Sequence, residues 1–531
     1  MTAERSKEAR HAVAREHAQL YPSRGRAEHP GRAHEAFARR SCASPASWRP
    51  EDSLYDQQLD SDFRRNGGAF ARMSGSGFRS QDFHDADMAV LHEKMTNSRV
   101  LPLVFRSPVA RNAASLYLLQ FANYLLPLIS IPYLVRVLEP SGYGAVAFAQ
   151  GFVNYLLLFV DYGFDWSATR KIAVQRYDPV AVNTTAIHVW AAKGLLSVAA
   201  AVLLLLAIAS LPGLADVSWL LVGLYGLVLG NVLFPTWLFQ GMERMGVIAA
   251  INVGLRTAVL IGIFALVRRP ADAAAYAVLT GAGGLAAGVV AAVVAWRTFG
   301  LKPARVSVVG VWNELKEGWV LFLSRASVTL YTAGNAFILG MLSGPIAAAY
   351  YSAAEKIIKA SLGVLDPLSQ ALYPRSSKLA ADSVTVALFW GRKALYLFAG
   401  IGLVLSLGLF VGAEVIVRVL LGHQYVASIT PMRVMAPVPF LIAVSNVLGI
   451  HVMLPLGRDR EFTSILFGAA LLNLIAAFVL VPPLRATGMA IAVLLSEAFV
   501  TFTMVVYLRR SDLLPIAAAL RGTLWSAGSD R

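Results

Sequence analysis

From Ala113 onward the chain alternates apolar stretches of about twenty residues with short polar interruptions, the length a helix needs to cross a hydrocarbon layer of about 30 Å. Twelve such stretches can be marked, over 113–136, 142–162, 183–209, 217–238, 247–267, 273–296, 318–341, 345–372, 394–420, 430–455, 462–481 and 486–508. The pattern predicts an all-α polytopic membrane protein. Residues 1–94 are polar, with no sustained helical or strand period, and read as a disordered leader. Met95 stands just before the first apolar stretch, so 1–94 is expected to be an over-extended reading frame, followed by a short segment over 95–112.

Composition agrees with the pattern. The chain of 531 residues is 56% hydrophobic and only 15% charged, where a soluble domain carries about 25% charged residues. Its one cysteine, Cys42, excludes an internal disulfide framework and a thiolate cluster for zinc or iron–sulfur. The formal charge is +15, and because acids nearly balance bases in the leader, the excess sits between the apolar stretches. Connections after even-numbered stretches carry fourteen Lys and Arg, among them Arg170, Lys171, Arg176, Arg244, Lys316 and Arg458, against Arg268, Arg269 and Arg485 after odd-numbered ones. The positive-inside rule then puts both termini in the cytoplasm.

The connections on the other side are short, for example Ser343-Gly344-Pro345 and Pro482-Pro483. That argues against a membrane polymerase or ligase of glycans, which needs a sizeable outer loop for catalytic groups. No G-x-x-x-x-G-K-[ST] loop occurs, so ATP is not bound through that device, and no aromatic-basic pattern points to nucleic acid. No cofactor is implied. An ion gradient (proton or sodium), the membrane potential or the substrate's own gradient remains as the energy source.

Two segments repeat. SGYGAVAFAQGFVNY from Ser141 can be laid on SGPIAAAYYSAAEKI from Ser343, and the loop Gly241-Met242-Glu243-Arg244 on Gly457-Arg458-Asp459-Arg460. Both matches relate stretches one to six with seven to twelve in unchanged orientation. They predict two six-helix lobes about a pseudo-twofold axis along the membrane normal, 113–296 and 318–508, joined by a cytoplasmic linker over 297–317 and followed by a tail over 509–531.

Ionisable residues inside a membrane are costly, at least about 2.5 kcal/mol each near the centre, and face a polar cavity or a partner. Lys193, Arg256, Arg325, Glu355, Lys356, Lys359, Asp366 and Glu497 lie within stretches, and Asp161 and Asp165 at the end of the second. The spacing of Glu355, Lys359 and Asp366 places all three on one face of a continuous helix, with Glu355 to Lys359 in the favourable orientation for an i,i+4 pair. A structural ion pair and a cavity role are both compatible with it, whereas Lys356 has no evident local partner. Arg256 and Arg325 have no acid within helical reach and are expected to face a lumen or another helix. Arg and Lys lining one cavity suit a polyphosphate head group. Lys193 either joins that set or snorkels to the interface. Gln120, Asn123, Asn154, Asn252, Tyr331 and Asn335 either bond a sugar or join helices together.

Four blocks carry a resemblance: PYLVRVLEPSGYGAVAFAQ from Pro132, DYGFDWSATRKIA from Asp161, PTWLFQGMERM from Pro235, and YYSAAEKIIKASLGVLDPLSQALYPRSSKL from Tyr350. In this order the chain resembles the polysaccharide (O-antigen type) flippases of the multidrug/oligosaccharidyl-lipid/polysaccharide exporter superfamily, from about Arg111 to Arg510. The resemblance implies a bacterial inner-membrane transporter, not an enzyme. It implies movement of an undecaprenyl-diphosphate-linked oligosaccharide from the cytoplasmic to the periplasmic leaflet by alternating access, for O-antigen, capsule or exopolysaccharide. Its expected partners are the lipid-linked oligosaccharide, the bilayer, and polymerase and chain-length proteins of the same pathway.

Asp161, Arg170, Glu355, Lys356 and Lys359 carry over from the matching blocks, while Lys193, Arg256 and Arg325 rest on the cavity argument. The expected substrate contacts are therefore Arg256, Arg325, Lys356, Lys359, Lys193 and Arg170, and the expected coupling or gating groups are Glu355, Asp366 and Asp161. Glu139 stands where the family usually has glycine, and the leader has no family counterpart. The rival transport reading is a cation-coupled multidrug exporter of the same superfamily, against which a lumen rich in cations argues.

Overall fold

The computed structural model describes residues 108–515, with side chains from Leu126 onward apart from those of Ser324, Ser327, Val328, Leu330 and Tyr331. The readings placed on 1–94, on 95–107, on the side chains of Gln120, Asn123 and Tyr331 and on the end of the tail lie outside what is described. Helices form throughout, namely α1 (Pro108–Asp161), α2 (Phe164–Gln175), α3 (Pro179–Ser210), α4 (Ser218–Leu233), α5 (Thr236–Gly241), α6 (Met245–Leu266), α7 (Ala273–Phe299) and α8 (Val308–Thr332). There follow α9 (Asn335–Ser343), α10 (Pro345–Leu362), α11 (Leu365–Asp382), α12 (Val384–Ile416), α13 (Ile429–Met435), α14 (Val438–Asn446) and α15 (Asp459–Arg510). Among the described residues, eight helical stretches are long and apolar enough to cross a membrane.

Local chemistry sets the helix ends. Asp178 caps α3, its carboxylate accepting from the Val180 and Ala181 amides at 3.0 and 3.1 Å, with Pro179 preset for the first turn. Gly344 at φ 84° followed by Pro345 opens α10, again with proline in the first turn. Two helices exceed any membrane thickness because each is a pair joined at a sharp break, α1 at Glu139 (φ 56°, ψ 173°) and α15 at Arg485 (φ 48°, ψ −124°). Glu139 therefore occupies a backbone region that is essentially reserved for glycine, which explains why glycine suits this position.

Similar turns lie at the repeated segments, but not in the expected register, which sets Ser141 on Ser343 and Gly241 on Gly457 and would pair Glu139 with Met341 and Glu243 with Asp459. Glu139 and Gly344 each turn the chain with positive φ before a proline-led helix. Glu243 (φ 57°) and Gly457 (φ 71°) each precede an arginine whose amide reaches back five residues, Arg244 to Phe239 at 2.8 Å and Arg458 to Met453 at 2.9 Å. The two Ser-Gly segments also meet. A Cβ on Gly144 would lie 2.0 Å from the Pro345 carbonyl oxygen, so α1 and α10 cross in backbone contact. A second close crossing sets Gly226 and Gly230 of α4 against Gly281, Gly284 and Gly288 of α7, the small-residue seam that lets membrane helices pack without a hydrophobic drive.

Contacts sort into two ends of the bundle. One gathers Tyr133 and Val267 (hydroxyl to carbonyl, 2.7 Å), Arg136 and the Val419 carbonyl, Tyr143 and Tyr425, and Ser343 and Val481. The other, richer in Lys and Arg, gathers Lys171 with Glu314, Arg176 with Glu243, and His188 with Gly310. The larger apolar core, including Val135, Phe148, Trp237, Tyr351 and Met489, runs from the helices before Phe299 into α10 and α15. A smaller one, including Leu365, Phe398, Leu448 and Met504, lies among the last helices.

Glu139→Gly relieves the strained turn and is expected to stabilise the protein by about 1 kcal/mol, the strain released less the added freedom of the unfolded chain. Thermal melting in detergent checks this, and an unchanged or lower midpoint contradicts it. Gly144→Val, by contrast, forces α1 from α10 and is expected to lower the midpoint.

Candidate functional site

The site is organised by a break in the chain. Helix α1 ends at Asp161, Tyr162 (φ 45°) and Gly163 (φ 81°) turn it, and α2 begins at Phe164. Gly163 lies against α8, where a Cβ would stand 2.9 Å from the Leu321 Cβ, so both the left-handed backbone and the close approach call for glycine. The Tyr162 ring stacks on Phe322 with centroids 4.9 Å apart. Asp161 and Asp165 thus flank the break on different helices. Asp161 Oδ1 lies 3.2 Å from Lys193 Nζ, and Asp165 Oδ2 lies 3.2 Å from Arg325 Nη1.

Lys193 does not snorkel. Its side chain is 2% exposed, and its ammonium also donates to the Asn231 backbone carbonyl at 3.0 Å. That carbonyl is available because the residue four positions on is Pro235, which has no N–H to offer it. The P-T-W segment therefore supplies a ligand to the lysine through a missing hydrogen bond. Arg325 likewise finds its acid on another helix.

Beside these pairs lies a cavity of about 610 Å³, lined entirely by residues between Leu126 and Ala287. Asp161, Asp165, Lys193 and Arg256 supply its charge, and Gln150, Asn154, Asn231 and Asn252 are among its neutral polar groups. The Asn231 Oδ1 is buried with no hydrogen-bond partner among the described residues. Such a wall offers cations to an anion and amides to hydroxyl groups. No cluster of three His, Cys, Asp or Glu residues among the described residues is arranged to hold a metal ion.

The remaining expected residues sit elsewhere. Glu355 pairs with Lys359 at 3.0 Å and accepts from the Tyr351 hydroxyl at 3.0 Å, while Lys359 donates to the Thr332 carbonyl at 2.7 Å, one of the orphan acceptors at the end of α8. Lys356 has a partner after all, the Tyr143 ring, 5.0 Å from its Nζ. Gly363 and Val364, both near helical angles, separate the helix that carries Glu355 and Lys359 from α11, whose first turn holds Asp366. Arg170 is exposed on α2 and does not line the cavity. Asn335 is buried at 2% exposure away from the cavity wall.

The sequence pattern gives Asp165 no role, and only its place beyond the Gly163 break reveals the pairing. It also passes over His451, whose ring nitrogens lie 3.0 Å from the hydroxyls of Ser369 and Ser376, seven residues apart on α11. The imidazole ties that helix to the π-helical turn Val447–Met453. A lone histidine in an apolar run carries no signal for this.

Helices that cross a membrane around a charged internal cavity define a multi-pass membrane transporter rather than an enzyme, and the relatives agree. Residues 109–380 match the family described as "Polysaccharide biosynthesis protein", and the chain belongs to that family. A "Putative O-antigen transporter" of Escherichia coli (strain K12) is 32% identical over 404 residues, 76% of this chain and 97% of that one. One of the same description from Shigella dysenteriae is 31% identical, covering 74% and 98%. Among solved structures, the fold is similar to the lipid II flippase MurJ in an inward closed conformation (TM-score 0.56, 12% identity, covering 75% of this chain and 90% of that chain). It is also similar to an inward-facing multidrug resistance MATE family transporter of the MOP superfamily (TM-score 0.55, 14% identity, covering 73% and 98%).

Because Lys193 and Asp161 are withdrawn from solvent, Asp161→Ala leaves an uncompensated ammonium and is expected to destabilise the protein by about 3–5 kcal/mol. The double variant Asp161→Ala/Lys193→Met should recover much of that loss in thermal melting. A double variant no more stable than Asp161→Ala would show that the pair is not the cause.

Proposed function

We propose that the protein is a flippase. It moves an undecaprenyl-diphosphate-linked oligosaccharide from the cytoplasmic to the periplasmic leaflet of a bacterial inner membrane, supplying a surface polysaccharide such as O-antigen. The observation that carries this reading is the internal cavity whose cations, Lys193 and Arg256, stand beside amide-bearing side chains, in a chain of the polysaccharide biosynthesis family. Arginine and lysine meet the diphosphate, and Asn154, Asn231 and Asn252 meet sugar hydroxyls. Arg325 adjoins this group through Asp165. Lys356 and Lys359, on α10, serve the substrate at a later stage of its passage, and Arg170 serves it at entry.

The same reading takes the chain as twelve membrane helices in two six-helix lobes, with both termini in the cytoplasm. Turns of the same kind at Glu139 and Gly344, and at Glu243 and Gly457, fall near the two pairs of similar segments, three and two positions out of their register, and support a looser repeat of this kind. Transport proceeds by alternating access as the lobes rock, with Asp161, Glu355 and Asp366 as the groups that carry coupling to a proton or sodium gradient. Polymerase and chain-length proteins of the pathway are the proposed partners downstream. A multidrug resistance transporter has a similar fold, and the described cavity lining, with Lys193 and Arg256 balanced by Asp161 and Asp165, does not by its charge exclude a cationic drug; membership of the polysaccharide biosynthesis family favours the flippase reading.

In cells that lack the protein but keep later polymer assembly, complete undecaprenyl-diphosphate units are expected to accumulate on the cytoplasmic leaflet. Wild type should clear them and Arg256→Ala should not. Normal appearance of the units on the periplasmic face, in cells without a redundant flippase, would sink this function.

A further inference from the structure

Helix α8 has two faces of opposite character. One lies on the helices before it. Glu314, 2% exposed, takes Lys171 at 2.5 Å, and a Cβ on Gly310 or on Gly318 would stand 2.3 Å from the His188 ring or 2.9 Å from the Tyr162 carbonyl oxygen. The other face is open. Val308, Val309, Trp312, Trp319, Val320 and Leu323 are all exposed, Val308 at 84% and Trp312 at 66%. At about 100° per residue they fall within an arc of roughly 120°, with exposed Lys316 inside it and Asn313 and Glu317 on one flank.

The cations at this end of the bundle differ in what they touch. Lys171 and Arg176 are paired with Glu314 and Glu243, and Glu317 also lies 3.7 Å from Lys171. Lys302, Arg305 and Lys316 are exposed and take part in no ion pair among the described residues. The stretch that carries the first two is fixed by its main chain, the Lys302 amide donating to Asn183 Oδ1 at 2.9 Å and the Ser307 amide to His188 Nε2 at 3.4 Å. These side chains therefore leave the protein from a backbone held beside the start of α3.

Neither water nor hydrocarbon alone suits such a face. Water would meet six large apolar side chains, and the bilayer core would strip Asn313, Lys316 and Glu317 of solvent. Although 25 residues long, α8 is not among the eight stretches apolar enough to cross a membrane. Its first turns suit the boundary between the two media, where valine and tryptophan enter the acyl layer and a lysine stem reaches back to the head groups.

We propose that the open face of α8, with Lys302 and Arg305 ahead of it, is a docking surface for anionic phospholipid head groups. Charge complementarity selects this occupant, since three cations without a protein counter-ion stand beside an apolar face that enters the acyl layer. Each cation near an anionic lipid surface raises association about fivefold. The surface goes beyond the flippase reading and does not depend on which substrate is carried. The opposite face of the same helix holds Glu314 to Lys171 and, two turns after Gly318, Arg325 to Asp165 at the cavity wall. A lipid-held α8 thus also fixes where those partners stand.

Hydrogen–deuterium exchange tests this on the full chain in nanodiscs of phosphatidylcholine alone, in nanodiscs of phosphatidylcholine mixed with phosphatidylglycerol, and in native membrane vesicles. With phosphatidylglycerol present the amides of 308–317 are expected to exchange more slowly, by about fivefold per cation engaged, and added salt should remove the difference. Lys316→Gln should forfeit about fivefold of the slowing, and Lys302→Gln/Arg305→Gln/Lys316→Gln nearly all of it. Arg268→Gln/Arg269→Gln, at the opposite end of the bundle, should keep it. Equal exchange in the two nanodiscs, or slowing that survives in the triple variant, overturns the docking surface. If the triple variant folds poorly, the salt titration of wild type decides, and slowing that salt does not touch overturns it. Protection found in native vesicles but not with phosphatidylglycerol assigns the face to a protein and overturns it too.

Discussion

The structure depends on keeping ionised groups paired inside an apolar medium. A charge withdrawn from water is tolerated only when a counter-charge and further hydrogen bonds meet it. Lys193 satisfies both demands with the Asp161 carboxylate and the Asn231 carbonyl. Each partner exists because a helix stops in the right place, α1 at Asp161 and α4 two residues ahead of Pro235. A continuous helix would have engaged its own carbonyls and carried the acid away at a different angle. Helix interruption here is the means by which the membrane interior is made polar at chosen points.

Interruptions elsewhere follow the same logic. Thr332 ends α8 and its carbonyl receives Lys359, whose other partner is Glu355. The π-helical turn over Val447–Met453 presents His451 to two serines of α11. Where helices must instead lie close, the residues are glycines, as at Gly144 and along the seam of α4 with α7. The chain thus uses small residues for approach and broken helices for polarity, and the cavity forms where several broken helices converge.

Much of this was legible in the amino-acid pattern. Apolar stretches of helical length marked the membrane class and the i,i+4 spacing gave the Glu355–Lys359 pair, while the two pairs of similar segments lie close to turns of similar backbone but out of register with them. The pairs of the cavity were not legible, because Lys193 and Asp161 are 32 positions apart and Arg325 and Asp165 are 160 apart. Local periodicity holds no information about contacts between different helices. Asp366 falls in the first turn of the next helix, beyond Gly363 and Val364, which the apolar run around them did not mark as a boundary.

The Asn231 carbonyl has a consequence for how this protein tolerates change. A side-chain ligand is lost when its own residue is substituted, but a carbonyl belongs to the main chain and survives any replacement at position 231. What makes it available is written four residues later, in the absent N–H of Pro235. Drift at 231 would leave the lysine's ligand in place while altering the amide at the cavity wall, so the wall's polarity can change without disturbing the buried charge. The anchor and the variable contact share one residue yet are inherited at two separate positions.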